Sequence, residues 1–272
     1  MTGLLDALVD DAGLFPPERL PVRAAVERHR ADALVAHPVL THRFLCPASA
    51  LAELRAELRD GEPWRLGLIV DVDRDALPAV LDEVDGDDRL HLETLELRWP
   101  GSVDAVPRHG SAVTHVELSP AADGWHDALL ALADAGLAAK VRCGGLTADA
   151  FPTPEQLGAI VVAAAHAGVP FKATAGLHHA VRAVDPRTGF AHHGFLNLLV
   201  ATVRAVTGDR AVVAALAVTD GAALAAQARD VPADDAARAR ALFTAYGSCS
   251  TSEPVEDLVA LGLVPAVAGA PS

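Results

Sequence analysis

The chain has 272 residues, which is long enough for one large α/β domain, and 51% of them are hydrophobic while only 4% are aromatic. A core that relies on Ala, Val and Leu favours helices packed against parallel strands over a β-sandwich. The formal net charge of −14, without a run of Lys and Arg, excludes a nucleic-acid surface.

The amino-terminal segment and the cysteines indicate where the protein works. The first residues are acidic, and no apolar run approaches the ~20 residues of a membrane span, so we expect neither a signal peptide nor a membrane partner. Cys46, Cys143 and Cys249 lack CxxC spacing, which argues against a disulfide framework and favours a reducing cytoplasm. We expect a small-molecule substrate, and the sequence leaves homo-oligomer formation open.

Strand and helix patterns alternate along the chain. After a short helix at residues 4–9 and a brief first strand within residues 10–17 that is closed by prolines, strands are predicted at 41–47, 64–72, 90–99, 113–118, 137–143 and 169–174. Helices are predicted between them at 21–34, 48–59, 75–84, 125–135 and 157–167, and beyond them at 193–206. The run 210–218 fits either an eighth strand or part of a helix, and 234–246 is predicted as a helix.

The alternation is typical of one parallel (β/α)8 barrel of the TIM type spanning residues 1–272, with residues 234–272 as a helical extension packed on it. In such a barrel the outward strand face packs on helices, while the inward face near the carboxyl ends meets the ligand. Placing the apolar strand residues outward turns a set of polar residues inward, namely Thr94, Glu96, Arg98, His115, Glu117, Lys140, Arg142, Lys172 and Thr174.

Two lysines among these inward residues predict chemistry on a carbonyl group. A lysine pressed against other cations in a low-dielectric pocket has a lowered pKa, and its neutral amine attacks carbonyl carbons. We therefore predict Lys140 and Lys172 as catalytic residues, with Glu96 or His178 moving protons. The predicted substrate-binding residues are Arg142, Glu117, Thr174, His192 and Asn197. The alternative for each single charge is a compensating ion pair.

Three short segments carry a resemblance: AKVRCGG at 139–145, TPEQL at 153–157 and PFKATAG at 170–176. A lysine strand, a Thr-Pro-Glu helix start, an apolar helix and a second lysine strand follow one another in that order. The region 139–182 is thereby similar to the deoxyribose-phosphate aldolase group of class I aldolases.

That resemblance implies a lyase in which Lys140 forms the imine and Lys172 perturbs it. It also implies Glu96 as the proton-relay carboxylate and, as a looser match, Asp11 on the first strand. The chain differs from the family at Arg142 and Cys143, where small hydroxyl residues are expected. It differs again where the pair His178 and His179 replaces a glycine-containing turn.

The loop at residues 176–194 contains four histidines, His178, His179, His192 and His193. Together with Glu117 or Glu96 they are the residues that would hold a divalent metal, because imidazole and carboxylate are ordinary zinc or manganese ligands. No HExxH-like spacing supports such a site, so we expect no cofactor. Acid–base or substrate-binding roles for His178 or His192 fit better, and the helix start at 192–197 can present N–H groups to an anion.

Three functions are compatible with this pattern. The first is an aldolase-like lyase that forms a Schiff base with a small, carboxylated or phosphorylated carbonyl compound. The second is metal- or lysine-assisted proton abstraction, as in an isomerase or an enolase-like enzyme. The third is a non-catalytic barrel that binds an anionic metabolite through Lys140, Arg142 and Lys172.

Overall fold

A computed structural model describes residues 3–266 of the protein. Eight parallel strands close a barrel: β1 Val9–Asp11, β2 Leu40–Pro47, β3 Trp64–Ile69, β4 Leu90–Arg98, β5 Val113–Leu118, β6 Ala138–Arg142, β7 Phe171–Thr174 and β8 Phe243–Ser248. The strands follow one another round the barrel in chain order, and β8 closes it by pairing with both β7 and β1. The predicted TIM-type barrel is confirmed.

Helices surround the strands. They are α1 Val22–Val35, α2 Leu51–Glu57, α3 Leu77–Asp85, α4 Trp125–Asp134, α5 Pro154–Ala167, α6 Phe195–Thr207, α7 Val212–Ala217, α8 Gly221–Arg229, α9 Ala233–Leu242 and α10 Ser252–Ala260. A short two-stranded hairpin, Ala183–Val184 with Ala191–His192, lies in the connection between β7 and α6. Within residues 3–266, none of the helices has the length and apolar character needed to cross a membrane.

The eighth strand is not at residues 210–218. That stretch contains helix α7, which agrees with its alanine content, and α7 packs on α5 and α6. The helix predicted to run to residue 246 ends at Leu242, and β8 begins at Phe243. Of the predicted extension 234–272, residues 234–266 therefore contribute a barrel strand as well as helices, and residues 267–272 lie outside the described residues. The segment 4–9 is also not helical; it forms turns and the start of β1.

Local sequence explains the helix that connects the two lysine strands. Thr153 caps α5 through a reciprocal pair of bonds: its hydroxyl accepts from the backbone N–H of Gln156, whose side chain accepts from the N–H of Thr153. Pro154 occupies the first turn, and Gly168 ends the helix in the left-handed conformation. The helix with these boundaries connects β6 to β7, and the two strands pair directly in the barrel.

The apolar core lies where strands meet helices. Buried apolar residues form two clusters, a larger one that includes residues of α4 to α10 and a smaller one that includes residues of α1 to α3. Strand residues such as Phe44, Val116 and Phe171 belong to these clusters. The inward-facing positions are largely charged instead, and burying charge is costly unless each charge is paired.

Candidate active site

The two lysines are neighbours inside the barrel. Lys140 on β6 and Lys172 on β7 occupy paired positions, and both are buried. They are also the only lysines of the chain, since every other residue among its 22 lysines and arginines is an arginine. This feature of the composition is a signal that the strand patterns alone do not reveal.

One carboxylate lies between the lysines. Glu96 of β4 accepts a hydrogen bond from Lys172 through Oε1, and its Oε2 lies 3.1 Å from Lys140 Nζ in an ion pair. Lys172 Nζ also donates to Asp10 Oδ2 of β1 at 2.6 Å. Lys140 Nζ has a second carboxylate, Glu117 of β5, whose Oε2 is 3.4 Å away. Each ammonium thus contacts two carboxylates.

The charged contacts continue in both directions from the lysines. Towards the carboxyl end of β6, Arg142 Nε donates to Glu117 Oε1 at 2.9 Å. Towards β2, Arg43 lies 3.1 Å from Asp10 Oδ1 and donates to Glu93 at 2.9 Å. We call the whole set the ionic core: Asp10, Arg43, Arg65, Glu93, Glu96, Glu117, Lys140, Arg142 and Lys172.

Access to solvent rises steadily along one side of the ionic core. The side chain of Lys172 is 1% exposed, that of Lys140 9%, that of Glu117 15% and that of Arg142 35%. A ligand arriving from the carboxyl end of β6 therefore meets Arg142 and Glu117 before Lys140. Lys172 lies behind Lys140, so Lys140 is the more accessible amine.

The pKa of Lys172 moves opposite to the sequence-based expectation. Burial disfavours its charge, but the carboxylates of Asp10 and Glu96 outweigh burial and raise the pKa of Lys172. Burial likewise works against the charge of Glu96, but Lys172 and Lys140 hold the pKa of this carboxyl well below its usual range. The ammonium form of Lys172 is therefore favoured. The expected lowering of its pKa by neighbouring cations is not found, because its nearest neighbours are the acids Asp10 and Glu96.

His115 of β5 also faces this cluster, as predicted. It pairs in register with Glu96, is buried, and has no hydrogen-bond partner for either ring nitrogen among the described residues. Burial and the charge of Lys172 lower the pKa of His115 to about 4, so its imidazole is neutral at neutral pH.

Aromatic rings cover the carboxyl ends of the lysine strands. A side chain at Gly144, just after β6, or at Gly176, just after β7, would collide with the ring of Phe151. Gly176 also has a positive φ of 70° and lies against Cys143 O, so only glycine fits there. The ring of Phe151 stacks on His192 at 4.6 Å, and His192 is 5.7 Å from His178.

The four histidines of the loop 176–194 do not converge. His179 is exposed beside Asp257, and His193 is buried, bonded to Pro152 O and Arg182. Only His178 and His192 lie together, and His178 Nδ1 is 3.8 Å from Cys249 Sγ. Residues 3–266 contain no group of three or more His, Cys, Asp or Glu side chains arranged to hold a metal ion.

Of the predicted substrate-binding residues, Asn197 lies away from the site and Thr174 lies at its border. Asn197 is fully buried in α6, where it accepts from the N–H of Arg182 and donates to Ala215 O and Val218 O. Its side-chain oxygen and nitrogen are both hydrogen-bonded to backbone groups, which fits a role in supporting the scaffold better than one in binding a substrate. Thr174 ends β7 beside Arg142 and is half-buried, in a position to border the site.

On the first strand the site carboxylate is Asp10, not Asp11. Asp10 points inward to Lys172 and also accepts from Thr41 Oγ1 at 2.7 Å. Asp11 points outward to α1, where it contacts Arg28 and lies 3.0 Å from His29. The alternation of side chains along a strand puts adjacent residues on opposite faces, and three residues of strand were too few to assign the face.

Comparisons with protein-family models, with curated proteins and with solved structures find no match to this chain. The resemblance to the deoxyribose-phosphate aldolases therefore rests on the segments 139–145, 153–157 and 170–176 alone. Function has to be argued from the ionic core.

Proposed function

We propose that the protein is a lysine-dependent enzyme that forms a Schiff base between Lys140 and a small anionic carbonyl compound, with aldolase-like or lyase-like chemistry. One observation carries the proposal. The chain uses arginine wherever it needs a surface cation, and its only two lysines occupy paired positions inside the barrel. Arginine offers the same charge but no nucleophilic amine at any accessible pH, so a requirement for an amine explains this choice.

The contacts assign separate roles to the two lysines. Lys172 is held as an ammonium by Asp10 and Glu96 and keeps Glu96 negative. Lys140 is closer to solvent and can react once it has lost a proton. Glu117 contacts Lys140 and is the more exposed of that lysine's two carboxylates, so it is the group placed to pass the proton to water.

The proposed reaction balances without a cofactor. The Lys140 nitrogen bonds to the carbonyl carbon, and the carbonyl oxygen leaves as water after taking up two protons, which gives a protonated imine. That cation accepts the electron pair of the bond between its α and β carbons as this bond breaks, while the hydroxyl on the β carbon gives its proton to solvent and becomes a carbonyl. Protonation of the resulting enamine and hydrolysis of the imine restore Lys140.

Reduction of the imine by sodium borohydride tests this proposal. The chain contains only two lysines, so the intact mass and one peptide map locate every adduct among Lys140, Lys172 and the amino terminus. We expect a stable adduct on Lys140 with a small carbonyl probe, its loss in Lys140→Arg, and its retention at a reduced level in Lys172→Arg. The proposal is contradicted if no carbonyl probe gives an adduct, or if the adduct still forms in Lys140→Arg.

A second candidate is binding without turnover. It is favoured by the pairing of both ammonium groups with carboxylates, because a fully paired amine is a poor nucleophile. Calorimetric binding of a small anion that requires Arg142 and Lys140, together with no adduct under borohydride, would support this candidate over the imine enzyme.

A further inference from the structure

The guanidinium of Arg142 has a free edge above Lys140. Its Nε donates to Glu117 and its Nη1 donates to Gly144 O at 3.0 Å, while Nη2 has no hydrogen-bond partner within residues 3–266. The side chain is 35% exposed, so this edge faces solvent rather than protein. A planar group with a free N–H pair is suited to bind a carboxylate.

The distance between Arg142 and Lys140 is set by one carboxylate. Glu117 touches both cations, with Oε1 2.9 Å from Arg142 Nε and Oε2 3.4 Å from Lys140 Nζ. The two residues are separated by one position on the same strand and face the same side of it. A ligand whose carboxylate binds Arg142 therefore lies along the face of β6 that also carries the Lys140 amine.

The charges of the ionic core favour a monoanion. Four carboxylates, Asp10, Glu93, Glu96 and Glu117, face five cations, Arg43, Arg65, Lys140, Arg142 and Lys172. The same surplus of one positive charge remains when Lys140 becomes a protonated imine. One carboxylate on the ligand balances it, whereas a phosphate dianion would leave an excess of one negative charge beside the buried carboxylates of the ionic core.

An aromatic ring covers the backbone at the carboxyl ends of the lysine strands. Phe151 fills the space beside Gly144 and Gly176, at the carboxyl ends of both lysine strands. Its ring is held in turn by His192 and Phe190. The backbone at these glycines is therefore covered by a ring, and the anion-binding group that remains at the mouth of β6 is the Arg142 side chain.

We propose that the substrate of this site is a short oxo acid, whose carboxylate binds the free edge of Arg142 while its carbonyl carbon, one or two bonds away, reacts with Lys140. This inference rests on the proposed imine chemistry and adds the class of substrate to it. The identity of the second cleavage product is left open by these contacts.

Three ketones that differ mainly in charge test the inference by borohydride trapping: pyruvate, acetone and dihydroxyacetone phosphate. We expect pyruvate to reach half-maximal labelling of Lys140 at a lower concentration than the other two. Arg142→Gln should raise the half-maximal pyruvate concentration by about tenfold or more relative to any change in the acetone value, the loss expected for one charged hydrogen-bond pair. Arg142→Lys should retain part of the preference for pyruvate over acetone, because the charge is kept.

The controls separate the possible failures. Glu117→Gln removes the other partner of Arg142 and Lys140, and it should lower trapping of pyruvate and acetone alike. If Arg142→Gln weakens labelling by both ketones equally, or if dihydroxyacetone phosphate labels at lower concentration than pyruvate, the oxo acid assignment is overturned while the imine proposal stands. If no ketone labels Lys140 in the unmodified protein, both proposals fail.

Discussion

Replacing Lys172 by methionine tests how the ionic core holds the barrel together. Lys172 Nζ is shared by Asp10 and Glu96, and its side chain is 1% exposed. Removing one partner of a buried ion pair typically costs 3–5 kcal/mol, because the other partner is left charged and poorly solvated. Asp10 keeps Arg43 and Glu96 keeps Lys140, so the lower end of that range applies. We expect Lys172→Met to lower the free energy of unfolding by about 3 kcal/mol.

The measurement is urea unfolding at pH 7, followed by circular dichroism, on Lys172→Met, Glu96→Leu and the double variant. Replacing both partners of a buried pair with apolar residues is often neutral. The double variant should therefore lose less stability than the sum of the two single variants, by about 2 kcal/mol. Strictly additive losses, or an unfolding midpoint in Lys172→Met equal to that of the unmodified protein, would refute the assignment of Lys172 as the central cation.

Two further predictions concern stability. Burial lowers the pKa of His115 and of His193 to about 4, so below pH 6.5 the unfolded chain takes up these protons before the folded protein does. Unfolding free energy should fall as the pH drops from 6.5 to 4, by about 2 kcal/mol at pH 5 for His115 alone, and urea midpoints should depend less on pH in His115→Gln. Asn197→Ala should cost about 3 kcal/mol in the same assay, because it removes three buried hydrogen bonds and leaves the Arg182 N–H and Val218 O without a partner, yet labelling of Lys140 in the folded protein should be unchanged.

The barrel was predictable because most of its strands carry a strong local signal. Strand β5 begins and ends at the predicted residues, and no bound of β2, β4 or β6 differs from the prediction by more than one residue. Strand β8 was missed because its six residues follow directly on α9, so the two signals merge into one apparent helix. The hydrophobicity of the run 210–218 was compatible with an eighth strand, but its alanines favour the helix that it contains.

The sequence predicted which residues form the site, but it did not predict their charge states. Alternation along β4 to β7 identified Glu96, Glu117, Lys140 and Lys172 as inward-facing, and the structure brings all four together. Which of them touch depends on register between strands, which a single strand pattern does not contain. One of the two acids that raise the pKa of Lys172, Asp10, lies 162 residues before it in the sequence, and their contact forms only when the barrel is closed.

Stability does not account for this ionic core. A barrel interior filled by branched apolar side chains is the usual arrangement, and exchanging a buried ion pair for apolar residues is often neutral or stabilising. The nine charges therefore add no evident benefit to the fold, while they leave one positive charge unmatched and one amine within reach of solvent. A ligand that brings one negative charge and one carbonyl group would satisfy both features, which is why the cluster is better explained by chemistry on such a ligand than by support of the barrel.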